Sequence, residues 1–149
     1  METPTYTSRM SKACVFCSIV SGAEPASIVV REDGLTAFLD ARPVFKGHVL
    51  VVPDVHADDL AALPAAGIAP LFLLARRVAA AIEHGLSAQG AFVAVNNKIS
   101  QSVPHLHVHV VPRTKGDGLR GFFWPRTKYG SDDERESYAR RIADALAAG

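Results

Sequence analysis

Cysteine is scarce in this chain. Cys14 and Cys17 are the only two among 149 residues, which excludes a scaffold built on disulfides. An excess of charge of one sign is also lacking. Sixteen Lys and Arg stand against fifteen Asp and Glu, a formal net charge of +1, so no general attraction to nucleic acid or to an anionic membrane surface is expected. The most apolar stretch, GIAPLFLLARRVAAAI, is broken by Arg76 and Arg77, and it is read as falling short of the 18 or more residues a membrane span needs. The first thirteen residues, METPTYTSRMSKA, have neither an apolar signal-peptide core nor an arginine-rich amphipathic pattern. They read as a flexible leader on a cytoplasmic protein. Internal repeats and low-complexity blocks are absent as well.

What is present is the composition of a globular domain, 48% hydrophobic and 21% charged. A chain of this length buries roughly two-thirds of its unfolded surface without staples, so residues 14–149 are read as one domain. Ser27 to Arg31 and Leu35 to Asp40 read as strands joined by a tight Asp33-Gly34 turn. Gly47 to Pro53 is a β-branched run of strand length, and a short helix is expected around Asp58 to Leu63. Ile68, Leu71, Phe72, Ala75, Val78, Ala79, Ile82 and Leu86 recur at spacings of three and four, which marks one long amphipathic helix. A further strand covers residues 91–96. The terminal DDERESYARRIADALAA has acids first and arginines later, as a helix dipole favours. The fold class is therefore α+β, a mostly antiparallel sheet with one long helix packed on it and a C-terminal helix.

Within PHLHVHVVPR, residues 104–113, His105, His107 and His109 alternate with Leu106, Val108 and Val110. A period of two is that of a half-buried strand, so the three imidazoles face one way, roughly 6.6 Å apart. Imidazoles buried side by side disfavour each other's charge, and a neutral ring is what a metal ligand or a nucleophile must be. Two chemistries fit. One is a metal centre, for which Cys14, Cys17 and His56 supply further ligands; a closed Cys2His2 tetrahedron needs only two histidines. The other is nucleophilic attack by one imidazole, with its neighbours moving protons. Phosphorus suits such a nucleophile, and Gln101 and Ser102 just upstream could hold phosphate oxygens.

The run His105-Leu106-His107-Val108-His109-Val110-Val111 resembles the His-x-His-x-His-x-x signature of the histidine triad (HIT) nucleotide hydrolases. The resemblance extends to Cys14-Val15-Phe16-Cys17, Phe38-Leu39-Asp40, Gly47 to Pro53 and His56, roughly residues 14–113. It implies a homodimer that binds a purine nucleotide beside the triad. His107 matches the residue that attacks the α-phosphate, giving a nucleotidyl-histidine that water cleaves to a nucleoside monophosphate. His109 and His48 match supporting and phosphate-contacting positions, and Asp40 matches the acid on the ribose hydroxyls. Asn96, Gln101 and Ser102 match polar residues around ribose and phosphate, with Asn97 the alternative to Asn96. In the zinc-containing bacterial branch the metal ligands correspond to Cys14, Cys17, His56 and His105, which makes Zn2+ a structural cofactor. The substrates implied are purine nucleoside phosphoramidates or dinucleoside polyphosphates.

Two departures stand out: Ser100 replaces the glycine usual before Gln101, and the third histidine is retained where the nucleotidyltransferase branch has glutamine. The second favours hydrolysis. Other readings remain open from sequence. Asp40 could close a turn, Ser102 could cap a loop, and the cysteines could be a redox pair or two buried thiols. His84 is read as an ordinary surface residue. Residues 113–149 form an extension in which Arg113, Lys115, Arg120, Arg126 and Lys128, with Phe122, Phe123 and Trp124, could contact a polyphosphate and a second base or could pack on the core or a partner. A zinc-stabilised nucleotide-binding or adaptor module with incidental turnover is the alternative function. A phosphodiesterase with paired His-x-Ser/Thr motifs is disfavoured, because no histidine here is followed two residues later by Ser or Thr. A catalytic zinc hydrolase is disfavoured because four protein ligands leave no open position.

Overall fold

The structure, a computed structural model, describes residues 14–119 and 126–149. The leader of residues 1–13 and the cluster of Arg120, Phe122, Phe123 and Trp124 lie outside the described residues. The chain divides into two compact units, one ending at Lys115 and the other beginning at Gly116.

The first unit carries helix α1 (Val15–Ser21), strands β1 (Ile28–Glu32), β2 (Leu35–Leu39) and β3 (Val49–Pro53), helix α2 (Ala65–Leu86), and strands β4 (Gly90–Ala94) and β5 (Val108–Arg113). All pairings are antiparallel, in the order β1-β2-β3-β5-β4. Asp33 and Gly34 join β1 to β2 with positive φ of 49° and 74°, as the expected two-residue hairpin turn requires.

Strand parity sorts the side chains into two layers. Val49, Val51, Leu106, Val108 and Val110 face α2, where Leu71, Leu74, Ala75, Val78 and Ile82 complete the larger core. Leu50, Val52 and Phe38 face the other way and pack with Cys14, Phe16 and Ile19 of the α1 segment. Both faces of β3 are thus covered, and each fully buried Val or Leu contributes on the order of 1.5–3 kcal/mol. By length and composition α2 does reach what a bilayer crossing needs, contrary to the reading of its two arginines. It serves instead as the core helix of the sheet, with Arg77 paired to Glu32 of β1.

Three local differences from the sequence reading have clear causes. Residues 58–63 form a turn and not a helix: Asp59 Oδ1 accepts the Ala62 N–H at 3.0 Å, and Pro64 disfavours helical backbone at the residue before it. Helix α1 has no strong periodic signal, being only seven residues long, and is defined by its ends, with Cys14 as N-cap and Gly22 at φ 84° as C-cap. The third is the histidine strand, which begins only at Val108; His105 and His107 precede it in irregular chain.

Gly47, at φ 97°, leads into His48 and β3, and a Cβ there would collide with Leu86 and crowd Pro112. In the second unit, helix α3 (Asp132–Ala148) covers the expected range, capped by Ser131, whose hydroxyl accepts the Glu134 N–H. Asp132, Asp133 and Glu134 occupy its first turn, the favourable end of the dipole.

Candidate active site and metal centre

The α1 face of the sheet carries five of the six histidines in two adjoining groups. The first group is a set of side chains able to hold a metal ion. Sγ of Cys14 and Cys17 and ring nitrogens of His56 and His105 all lie within 4.8 Å of one another. Cys14 Sγ is 3.5 Å from His105 Nδ1, Cys17 Sγ is 3.4 Å from His56 Nδ1, and Cys17 Sγ is 3.5 Å from His105 Nδ1. Tetrahedral zinc, with Zn–S of about 2.3 Å and Zn–N of about 2.0 Å, separates sulfur from nitrogen by roughly 3.5 Å.

The outer contacts fit as well. His105 Nε2 meets the Pro53 carbonyl at 2.8 Å and His56 Nε2 meets Asp58 Oδ1 at 2.7 Å. Each acceptor holds the ring proton on Nε2, which leaves Nδ1 free to ligate. Burial, reinforced by neighbouring Cys14, pushes the Cys17 thiol up to about 11, a cost that a bound cation reverses. The set can therefore hold zinc, and with four protein ligands the ion is a structural cross-link.

The second group is a chain of imidazoles. The Val44 N–H donates to His48 Nδ1 at 3.1 Å, so that nitrogen is an acceptor and the His48 proton sits on Nε2. His48 Nε2 lies 2.9 Å from His109 Nδ1, which accepts in turn. The His109 proton is thereby assigned to Nε2, a buried atom without a hydrogen-bond partner among the described residues. Burial, helped by His107 and His48, lowers the His109 pKa to about 4. Burial also lowers that of His48, with His107 adding to the effect and Asp40 opposing it. His105 is lowered chiefly by burial too, against the Pro53 carbonyl.

His107 stands between the groups. Its Nδ1 lies 2.7 Å from the His105 carbonyl oxygen, which can only accept; Nδ1 therefore carries a proton, and in the neutral ring Nε2 is the nitrogen with the lone pair. Phe16 packs edge-on against the His107 ring at 5.1 Å and against His105 at 5.9 Å, and the His107 and His109 ring centres are 4.8 Å apart.

A cleft of about 980 Å³ opens over this face, lined by Phe16, Ile19, Phe38 and Leu39 and by Asp40, Ser102, His107 and His109. Asp40 Oδ2 lies 3.7 Å from His48 Nδ1, and its Oδ1 accepts the Arg42 N–H at 2.9 Å. Gln101 is not in the cleft lining; its amide donates to the Asp58 carbonyl at 2.7 Å. Asn96 is exposed and also outside the lining, while Asn97 Oδ1 accepts the Leu60 N–H. Ser100 stands at φ 60°, so it takes the left-handed backbone that glycine would supply at that point. Sequence reasoning missed the Val44 amide, which no side chain signals, and Asp58 and Phe16. The last two lie beside residues that were singled out, two after His56 and between the cysteines.

The comparisons with known proteins agree with this geometry. Residues 21–116 match the HIT domain. An uncharacterized HIT-like protein of Mycobacterium tuberculosis is 35% identical, with 90% of this chain and 93% of that protein covered. The adenylylsulfatase HINT3 of Arabidopsis thaliana is 29% identical over 75% of this chain and 58% of its own length. Among solved structures, a Zn-bound histidine triad family protein from Mycobacterium smegmatis superposes with a TM-score of 0.71 at 35% identity, covering 93% of this chain and 99% of that one. By that match, by these relatives and by a fold shared with them, the chain belongs to the HIT domain family.

Proposed function

We propose that this protein hydrolyses purine nucleotides at the α-phosphate, acting on nucleoside phosphoramidates or dinucleoside polyphosphates through a nucleotidyl-His107 intermediate. Family membership supports a nucleotide-binding, hydrolase-type function in general. The observation that carries the finer reading is the Nδ1 contact of His107 with the His105 carbonyl, which makes Nε2 the nucleophilic nitrogen of the neutral ring, on a side chain lining the cleft.

In the first step the Nε2 lone pair bonds to phosphorus, the bond from phosphorus to the leaving atom breaks, and the leaving atom departs with that electron pair, accepting a hydrogen bond from His109 Nε2–H and taking its proton from water. The His107 ring carries one positive charge in the intermediate, and its Nδ1–H stays on the His105 carbonyl. In the second step a water oxygen bonds to phosphorus, the P–Nε2 bond breaks with its electron pair returning to the ring, and the proton that water releases neutralises the hydroxide left in the first step. Nucleoside monophosphate and the protonated leaving group are the products. A preorganised N–H donor aimed at the charge developing on the leaving atom contributes about 10² to 10³-fold, and alignment of ring and phosphorus contributes further.

Asp40 is assigned to the ribose hydroxyls and Ser102 to phosphate, both from the cleft wall. Gln101 and Asn96 are assigned supporting polar roles around them, and His48 holds His109. Zinc, when bound, supplies the cross-link among Cys14, Cys17, His56 and His105. A homodimer is part of the same reading, supported by the exposure of Phe72 and Leu73 on α2 and Val93 on the terminal strand β4.

The test is release of AMP from an adenosine phosphoramidate and from a diadenosine polyphosphate, followed by chromatography. Wild type should release AMP and His107→Ala should bind AMP yet release none. Equal turnover by His107→Ala would remove the mechanism.

A further inference from the structure

One residue belongs to both groups of histidines. The His105 ring is a ligand of the metal set through Nδ1, and its main-chain carbonyl, on the same residue, receives the His107 Nδ1 proton. We infer that occupancy of the metal site selects the ring tautomer of His107, with His105 as the positioning residue that transmits it. This rests on His107 being the nucleophile, as proposed above.

The placement of the His105 carbonyl is not secured by the sheet. Ladder pairing to β3 begins at Val108, three residues later, so the carbonyl takes its position from what anchors residues 105 and 106. Those anchors are the buried His105 ring and Leu106 side chain, the His105 N–H to the Val103 carbonyl at 2.8 Å, and the Leu106 N–H to the Ala57 carbonyl at 2.7 Å. Ala57 follows His56, a second metal ligand, so the Leu106 anchor also hangs on the metal set. A further connection runs from His56 Nε2 to Asp58 Oδ1, and from the Asp58 carbonyl to the Gln101 amide at 2.7 Å. Beside Gln101 is Ser102, which lines the catalytic cleft and also a smaller cavity of about 340 Å³ against Cys14, His56 and Asp58.

Without the ion, two thiols and two neutral imidazoles have no shared centre, and the ring of His105 is free to leave Pro53. A displaced carbonyl no longer accepts from His107 Nδ1, and the proton then distributes between the two ring nitrogens. Molecules with the proton on Nε2 have no lone pair aimed at phosphorus. The metal thus acts on the nucleophile through one peptide unit, without approaching the substrate.

The experiment is long-range 1H–15N spectroscopy of the full chain with 15N-labelled histidine, zinc-loaded and after chelation, with two variants read in zinc. Zinc-loaded wild type should show His107 as the Nδ1-protonated form alone. Chelated wild type should show both neutral tautomers exchanging. His105→Ala keeps Cys14, Cys17 and His56 to hold the ion and the fold, and should show the same mixture; it supplies the answer if the chelated chain unfolds. His105→Cys keeps four ligands and should restore the single form and AMP release together. A single Nδ1-protonated form persisting in His105→Ala would overturn the inference, as would a mixture in zinc-loaded wild type. Because the ring nitrogens report without substrate, absence of AMP release from loaded wild type would count against the proposed reaction and not against this linkage.

Discussion

His48 Nε2 stands 2.9 Å from His109 Nδ1, while His48 Nδ1 accepts the Val44 amide at 3.1 Å. A peptide N–H cannot give up its role as donor, so one main-chain group orders the protons of two imidazoles and ends with an N–H on His109. Among the described residues that N–H is the buried group left without a partner, as expected of a donor reserved for a ligand.

Replacing His109 with Ala removes that donor and should therefore lower kcat by about 10² to 10³-fold with little change in KM, since the rest of the cleft wall that binds the nucleotide remains. Steady-state hydrolysis of an adenosine phosphoramidate measures both constants. A change confined to KM would assign His109 to binding alone.

Folding stability should depend on acid through the same ring. The folded pKa of His109, about 4, lies below its ordinary 6.5, so between these values the unfolded chain binds the extra proton. The stabilisation is complete above about pH 6.5 and is lost as pH falls toward 4. Urea unfolding from pH 7 to 4.5 should show wild type losing more stability than His109→Gln over the same interval. Parallel curves for the two proteins would contradict it.

Asp58 receives the His56 Nε2 proton at 2.7 Å, and such outer partners are typically worth 10 to 100-fold in metal affinity. Asp58→Ala should weaken zinc binding by about that factor in a chelator competition. Cys14→Ser should go further, lowering both zinc content and melting temperature.

Ser100 holds a left-handed backbone at φ 60°, where a side chain costs roughly 1–2 kcal/mol that glycine avoids, less the greater freedom glycine has in the unfolded chain. Ser100→Gly should leave the fold intact and raise the denaturant midpoint slightly. A lower midpoint would mean that the Ser100 side chain contributes more than its strain removes.

Leu106 is fully buried, facing α2 while its neighbours His105 and His107 face the cleft side. Leu106→Ala should cost about 2–5 kcal/mol and, by loosening the segment that carries the His105 carbonyl, should lower turnover as well. Chemical denaturation and a turnover assay on the still-folded fraction separate the two effects.

Much of the architecture is legible in the chain itself. The Asp33-Gly34 turn, the β-branched run ending at Pro53, the periodicity of α2 and the acids-first, arginines-later order of α3 are local signals, each read from residues within one element. Helix α1 was not legible, because seven residues carry too little periodicity. The turn at 58–63 was misread because its governing interaction is an Asp side chain binding backbone, a choice that hydrophobic pattern does not report.

For the site, alternation by itself determined that His105, His107 and His109 share a face opposite Leu106, Val108 and Val110, since side-chain direction alternates wherever the chain is extended. Only the tertiary structure decided that the row divides, with His105 turning to Cys14, Cys17 and His56 and His109 turning to His48. Cys14 and His105 are 91 residues apart, and whether they meet depends on how β3, β5 and α1 pack. The tertiary structure also decided which nitrogen of each ring carries the proton. That choice belongs to carbonyls and an amide of the main chain, which are chemically the same at every position and acquire identity only from where the fold puts them.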